Sequence, residues 1–363
     1  MQFIDLNAQY KRLAADIKER TNRVLEHGQY ILGPEVTELE ERLAEYVGVK
    51  HCVAVANGTD ALLIAMMALG IHHGDEVIVP NFTFIAPAEM VVLLGAKVLF
   101  VDIDSRTYNI DIDLLEQAIT PMTKAIIPVS LFGQCADFDA INAIASKHNI
   151  SVIEDAAQSF GATYKSKPSC SLSTIACTSF YPSKPLGCYG DGGACFTNDD
   201  QLAVKMRCII IHGENGRYSH EMLGLNSRLD TLQAAILLAK LKIFPSEIMR
   251  RNELANMYND LLKDYYQVPY VKPHNMSVYA QYTIGCDDRD KVQEHLHKNN
   301  IPTAIHYPKT LHQQDIFANL AHQLAALPNS KNAAKRVISL PFSAYLSERD
   351  LRKIAATLIQ ALE

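Results

Sequence analysis

Short apolar runs alternate with helix-like stretches through the first two thirds of the chain, and this alternation restricts the fold more than any other feature. The runs at 52–56, 76–80, 97–102, 124–131, 150–155, 174–180 and 193–197 are mostly continuous rather than alternating. That is the pattern of strands covered on both faces. Between them lie helical patterns at 60–69 (DALLIAMMAL), at 85–94 before Gly95, and at 137–148, which starts with acids and ends with bases. Strand–helix alternation of this kind predicts an α/β fold with a mainly parallel sheet and helices on both faces. After Pro245 the texture changes. Residues 265–281 are rich in Tyr, Val and Pro and are expected to contain strands, while 290–299 and 347–362 read as helices. The expected organisation is a large domain at 1–244, opening with an N-terminal helix, and a smaller α+β domain at 245–363.

Composition removes several function classes. With 363 residues, 48% of them apolar, a sizeable core is available. A net charge of −6 supplies no field for gripping a phosphate backbone, so nucleic acid is not an expected partner. No apolar run is long enough to span a bilayer, and the first twenty residues lack the basic-then-apolar layout of a signal peptide. The eight Cys include no CxxC pair, which argues against a zinc site or disulfide framework and for idle thiols in a reducing cytoplasm. The expectation is a cytoplasmic protein without a metal.

Chemistry is sought at the carboxyl ends of strands, where open α/β sheets bind ligands. The run SVIEDAAQ (151–158) ends in two acids, Glu154 and Asp155, which strand geometry sends to opposite faces. Either they serve a buried cation or they cap the next helix. In TSFYPSKPLGCYGDGG (178–193), Lys184 stands between two prolines and before a loop with four glycines. A lysine in a desolvated site can lose its proton and form a Schiff base with an aldehyde; a solvated surface lysine is the alternative. Asn57-Gly58-Thr59-Asp60 lies where a helix begins, so its amides could hold an anion, or simply cap the helix. Phe84 follows a strand end and could stack on a planar ligand or join the core. Taken together, a lysine, an acid, an anion-binding helix start and an aromatic are the groups that pyridoxal phosphate requires.

The sequence resembles the nucleotide-sugar aminotransferases of the DegT/DnrJ/EryC/StrS family. The likeness is carried by GQYILGPEVTELEERLAEYVG (28–48), NGTDAL (57–62), EDAAQSFGA (154–162), SFYPSKPLGCYGDGGACFTND (179–199), NSRLDTLQAA (226–235) and HYP (306–308). It implies the aspartate-aminotransferase-like fold, fold type I, and pyridoxal 5'-phosphate cycling through pyridoxamine 5'-phosphate. By the resemblance, Lys184 carries the Schiff base and shuttles the proton, and Asp155 pairs with the pyridine nitrogen. Gln158 lies beside the ring hydroxyl, and Phe84 stacks on the ring. Gly58, Thr59, Asp60 and Ser179 hold the phosphate. Asn226 reaches that phosphate from a second subunit, which implies a homodimer with composite sites.

L-Glutamate is the implied amino donor. PVSLFGQCADFDAINAIASKH (128–148), PSKPLGCYGDGG (182–193) and SVYAQYT (277–283) are most similar to enzymes that aminate C3 of UDP-2-acetamido-2-deoxy-3-oxo-D-glucuronate for bacterial surface polysaccharide (O-antigen). Arg228, His306 and Tyr307 are the candidates for its carboxylate and diphosphate. The alternative is another UDP- or dTDP-linked 3-keto or 4-keto deoxysugar. Deoxysugar dehydratases on this fold replace the Schiff-base lysine by His, so Lys184 argues for transamination.

Overall fold

The computed structural model describes residues 1–318 and 326–362. Two helices precede the sheet: α1 (Leu6–His27) and α2 (Pro34–Val47), the latter opened by a proline in its first turn and closed by Gly48 at φ 79°. The chain then lays down β1 (His51–Val55), α3 (Gly58–Ala68), β2 (Glu76–Pro80), α4 (Ala86–Leu93), β3 (Lys97–Val101), the short α5 (Ile112–Leu115), β4 (Thr123–Ile126), α6 (Phe138–His148) and β5 (Ser151–Asp155). A two-residue pair, β6 (Thr163–Tyr164) and β7 (Lys167–Pro168), leads to β8 (Ile175–Ser179) and β9 (Gly193–Thr197).

Seven of these strands form one sheet in the order β1-β9-β8-β5-β4-β2-β3. Only β9 runs against its neighbours; the other six point the same way. The predicted parallel architecture of fold type I is therefore present. Its strands are almost wholly buried because apolar cores lie on both faces. One core joins α2, α6 and Phe160–Phe180–Phe196; the other joins α3, α4 and α7 (Asp200–Ile209). Next come α8 (Thr231–Leu241) and α9 (Phe244–Leu262), where Pro245 occupies the first turn.

Beyond α9 stand β10 (Asn275–Met276), β11 (Tyr282–Gly285), α10 (Arg289–Lys298), α11 (Pro328–Arg336), β12 (Val337–Leu340) and α12 (Glu348–Gln360). Antiparallel β11 and β12, with α9, α10 and α12, enclose a separate core around Tyr258, Tyr282, Ile338 and Leu351. Leu311, Phe317 and Leu327 instead pack back into the core of the large sheet. The expected C-terminal range also includes 319–325 and 363, outside the described residues.

Two expectations need correction. The run 124–131 is a strand only to Ile126, because Pro128 cannot donate to the ladder. Within 265–281 only Asn275–Met276 pairs as a strand, since Pro269 and Pro273 interrupt the rest. All eight cysteines are buried and unpaired, as expected for idle thiols.

Candidate active site

The turn from β1 into α3 supplies the first part of the site. Asn57 is extended and caps the helix, its Oδ1 accepting the Asp60 N–H at 2.8 Å. That leaves the Gly58 and Thr59 N–H groups without partners among the described residues, at the positive end of an eleven-residue helix. The Asp60 amide, expected to face an anion, is thus already used by the cap.

Gly58 is required by packing. A Cβ there would lie 2.6 Å from Ser179 Cβ and 3.2 Å from Ser179 Oγ. Gly193 is equally confined, because its Cβ would strike the Asn57 carbonyl at 2.6 Å. The starts of α3 and β9 and the end of β8 therefore meet at backbone contact, with the Ser179 hydroxyl beside the helix start. Ser179 Oγ also accepts the Tyr181 N–H at 3.3 Å.

Five residues after Ser179 comes Lys184, in a loop closed by Lys184 N–H to Tyr181 O at 2.8 Å and Cys188 N–H to Phe180 O at 2.8 Å. Lys184 keeps some accessible surface, yet the protein around it pulls its amine below the ordinary lysine range by burial. The charge of Asp155 acts in the opposite direction. Its amine has no hydrogen bond or ion pair among the described residues, and Lys184 lines a small cleft with Pro182, Pro185, Glu247 and Arg251.

Asp155 ends β5. Burial pushes its carboxyl upward, opposed by the Ala157 N–H at 3.0 Å and by the charge of Lys184. Glu154 leaves the other face of the strand, where Ser169 and the Cys170 N–H donate to it at 2.7 and 3.0 Å. Alternation along the strand thus separates the two acids as expected, and neither caps a helix.

Around Asp155 the structure gathers residues from distant parts of the chain. Gln158 Oε1 accepts the Phe132 N–H at 2.8 Å, and its Nε2 donates to Tyr307 Oη at 3.2 Å. Burial first, and Asp155 second, raise the Tyr307 hydroxyl. The Phe84 ring is 53% exposed and lies 6.2 Å from the Tyr307 ring, so it is not a core residue. His306 Nδ1 shares a hydrogen bond of 2.9 Å with Ser339 Oγ, and burial, then the charge of Lys184, lower its pKa. Gly58, Ser179, Lys184, Asp155, Gln158, Phe84, His306 and Tyr307 therefore belong to one region.

Asn226 and Arg228 are not hydrogen-bonded to this cluster. Asn226 is exposed and bridges Ile211, and Arg228 is half-buried with its Nε unpartnered. Ser227 between them is fully buried and accepts the Ala56 N–H at 3.3 Å, which holds this segment beside the start of α3.

These groups fit pyridoxal phosphate. Two unpartnered amides and a hydroxyl suit a phosphate, an amine without a partner suits an aldehyde, a buried carboxylate with one short-range donor suits a pyridine nitrogen, and an exposed aromatic suits a ring. No group of three or more His, Cys, Asp or Glu able to hold a metal occurs among the described residues.

Comparison with known proteins identifies the family. Residues 11–359 match the DegT/DnrJ/EryC1/StrS aminotransferase family. The UDP-2-acetamido-2-deoxy-3-oxo-D-glucuronate aminotransferase of Pseudomonas aeruginosa is 60% identical over 359 residues, 99% of either chain. The crystal structure of a DegT/DnrJ/EryC1/StrS aminotransferase from Brucella abortus superposes with a TM-score of 0.96 at 45% identity, covering 99% of this chain and 98% of that one. NtdA of Bacillus subtilis, solved with bound cofactor PMP, superposes with a TM-score of 0.93 at 30% identity, covering 100% and 85%. By sequence and fold, this chain belongs to the DegT/DnrJ/EryC1/StrS aminotransferase family.

Proposed function

We propose that this protein is a pyridoxal-phosphate-dependent nucleotide-sugar aminotransferase that moves an amino group from L-glutamate to C3 of UDP-2-acetamido-2-deoxy-3-oxo-D-glucuronate. The observation that carries the chemistry is Lys184, desolvated and without a partner among the described residues, within electrostatic reach of the buried Asp155. The substrate rests on the 60% identity, over nearly the whole chain, to an enzyme of that name. The product is expected to enter bacterial surface polysaccharide (O-antigen). Eight unpaired cysteines suit a reducing cytoplasm, and no helix of the described residues is long and apolar enough to cross a membrane.

When bound, pyridoxal phosphate supplies an aldehyde that joins to amines and a ring that delocalises the electron pair left by proton removal. The chain's own residues do the rest. Lys184 would hold the cofactor through its Nζ, and the same amine, when free, would take up and return a proton. A lysine whose pKa is lowered by burial spends more time as the free amine this task needs. Asp155 would keep a positive charge on the pyridine nitrogen. The Gly58 and Thr59 amides, with the Ser179 hydroxyl, would hold the phosphate, while the Asp60 amide stays with the Asn57 cap. Gln158, braced by the Phe132 amide, would meet the ring hydroxyl, and Phe84 would stack on the ring. Arg228, His306 and Tyr307 meet the sugar's carboxylate or diphosphate.

The direct test is the absorption spectrum of the purified protein. A visible band that gives way to an ultraviolet band on adding L-glutamate is expected. UDP-2-acetamido-2-deoxy-3-oxo-D-glucuronate should then restore the visible band. A visible band indifferent to glutamate would remove the donor, and no restoration by this sugar would remove the acceptor.

The homodimer is part of the proposal. Tyr30, Ile31, Leu32 and Leu223 are large apolar residues left about half exposed or more. Ile31 bridges Asp230, so this patch adjoins the segment that carries Asn226 and Arg228. Covering it with a second copy would bury apolar surface and bring Asn226 to the other subunit's phosphate. Mixing Asn226→Ala with Lys184→Ala should restore activity, to roughly a quarter of the parental value for random pairing. No recovery, with mixed dimers demonstrated by mass, would end the composite-site idea.

A further inference from the structure

α8 is apolar along most of its length, yet Lys240 lies in it at 1% exposure. Its Nζ donates to Gly187 O at 2.5 Å and sits 4.1 Å from the centroid of the Tyr189 ring. Burial pulls the amine down to about 8, with Cys188 and Glu247 acting the other way. Neither acidic partner is within ion-pair distance, so the ammonium is held by one carbonyl and one aromatic face. Such a charge is costly to keep in an apolar helix, and an apolar residue of similar volume would commonly serve stability as well or better.

What Lys240 grips is the far side of the Lys184 loop. Gly187 packs directly onto the residues preceding Lys184: a Cβ at Gly187 would lie 2.6 Å from both Tyr181 O and Pro182 O. A shift of the Gly187 peptide therefore passes to the stretch on which Lys184 is mounted. A second residue of the same helix holds the next part of the loop, since Gln233 Oε1 accepts the Tyr189 N–H at 2.9 Å. Among the described residues, Lys184 itself is tied down only by its backbone, through the Tyr181 carbonyl.

We infer that Lys240 is a positioning residue: by holding the Gly187 carbonyl it fixes the loop that aims Lys184 at the cofactor's aldehyde. The inference rests on the role proposed above for Lys184. Its consequence is that stability and function separate at this position. Removing the buried charge with Lys240→Met should leave the apoprotein as stable as the parent or more so, while the loop loses its anchor. Misplacement of a reacting group by about 1 Å costs on the order of 10²-fold in rate.

The test follows two quantities in parent and Lys240→Met: the Tm of the apoprotein, and the rate at which added pyridoxal phosphate becomes linked to Lys184. Linkage is read by the visible band and by borohydride fixation with peptide mass. The expected result is a linkage rate lowered about 10- to 100-fold, a similar loss in kcat, and a Tm equal to or above the parental value. A linkage rate within twofold of the parent would overturn the inference. So would a Tm that falls in step with the rate, since Lys240 would then be structural. Should Lys240→Met not fold, Lys240→Gln is judged by the same two quantities. Failure of the underlying reading looks different: the parent itself would fix no cofactor at Lys184.

Discussion

Lys184→Ala is expected to reduce multiple turnover by more than ~10⁴-fold when no amine is added. One side chain provides both the covalent tether and the proton carrier, and general acid–base transfer alone contributes about 10²–10⁴-fold. The loss should not come from unfolding. The Lys184 amine makes no hydrogen bond or ion pair among the described residues, and the environment disfavours its charged form. Deleting it removes a desolvation cost, so the apoprotein Tm should hold. The measurement is steady-state sugar amination at saturating glutamate, alongside a melting curve. Sustained turnover in this variant would remove Lys184 from the mechanism, and a collapsed Tm would make it structural instead.

Asp155→Asn is the second large effect. The rate should fall about 10²- to 10³-fold, the scale for deleting one preorganised electrostatic contact to the reacting system. Cofactor retention should fall far less, because the phosphate cup and Phe84 are untouched. Stability should move the other way. Burial raises the folded-state pKa of Asp155, so ionising it costs folding stability, a cost absent at low pH and growing as the pH rises above the ordinary carboxyl range. Asn removes that cost and can still accept the Ala157 N–H. At pH 7 the apoprotein of this variant should melt no lower than the parent, a difference that should vanish as the pH approaches the range where Asp155 is protonated. A wild-type rate in Asp155→Asn would sever the acid from the chemistry.

Several parts of the site could be read from local sequence. The two acids at the end of β5 separate to opposite faces because a strand alternates its side chains, whatever surrounds it. Gly58 follows a capping Asn and starts α3, a local rule of helix ends. Lys184 between two prolines falls in a loop, since neither a helix nor an interior strand continues through them. The apolar runs were long enough to place the strands, except where prolines cut them, at Pro128 and within 265–281.

Other parts could not be read that way. Lys240 is one of two lysines in LDTLQAAILLAKLKIF, and nothing local marks it out, because its partner lies 53 positions away in the chain. Gln158 meets Tyr307 across 149 positions, and His306 meets Ser339 across 33. That the Asp60 amide is consumed by Asn57, while those of Gly58 and Thr59 are left, depended on the cap geometry. Strand–helix order and the dominant direction of the sheet were legible in the sequence alone, because periodicity and turn chemistry are local properties. Only the tertiary structure decided which amides stay free, why no side chain fits at Gly58, what braces the Lys184 loop, and which residues face Asp155. Those depend on contacts between segments far apart in the chain, and such contacts are fixed by packing rather than by neighbouring residues.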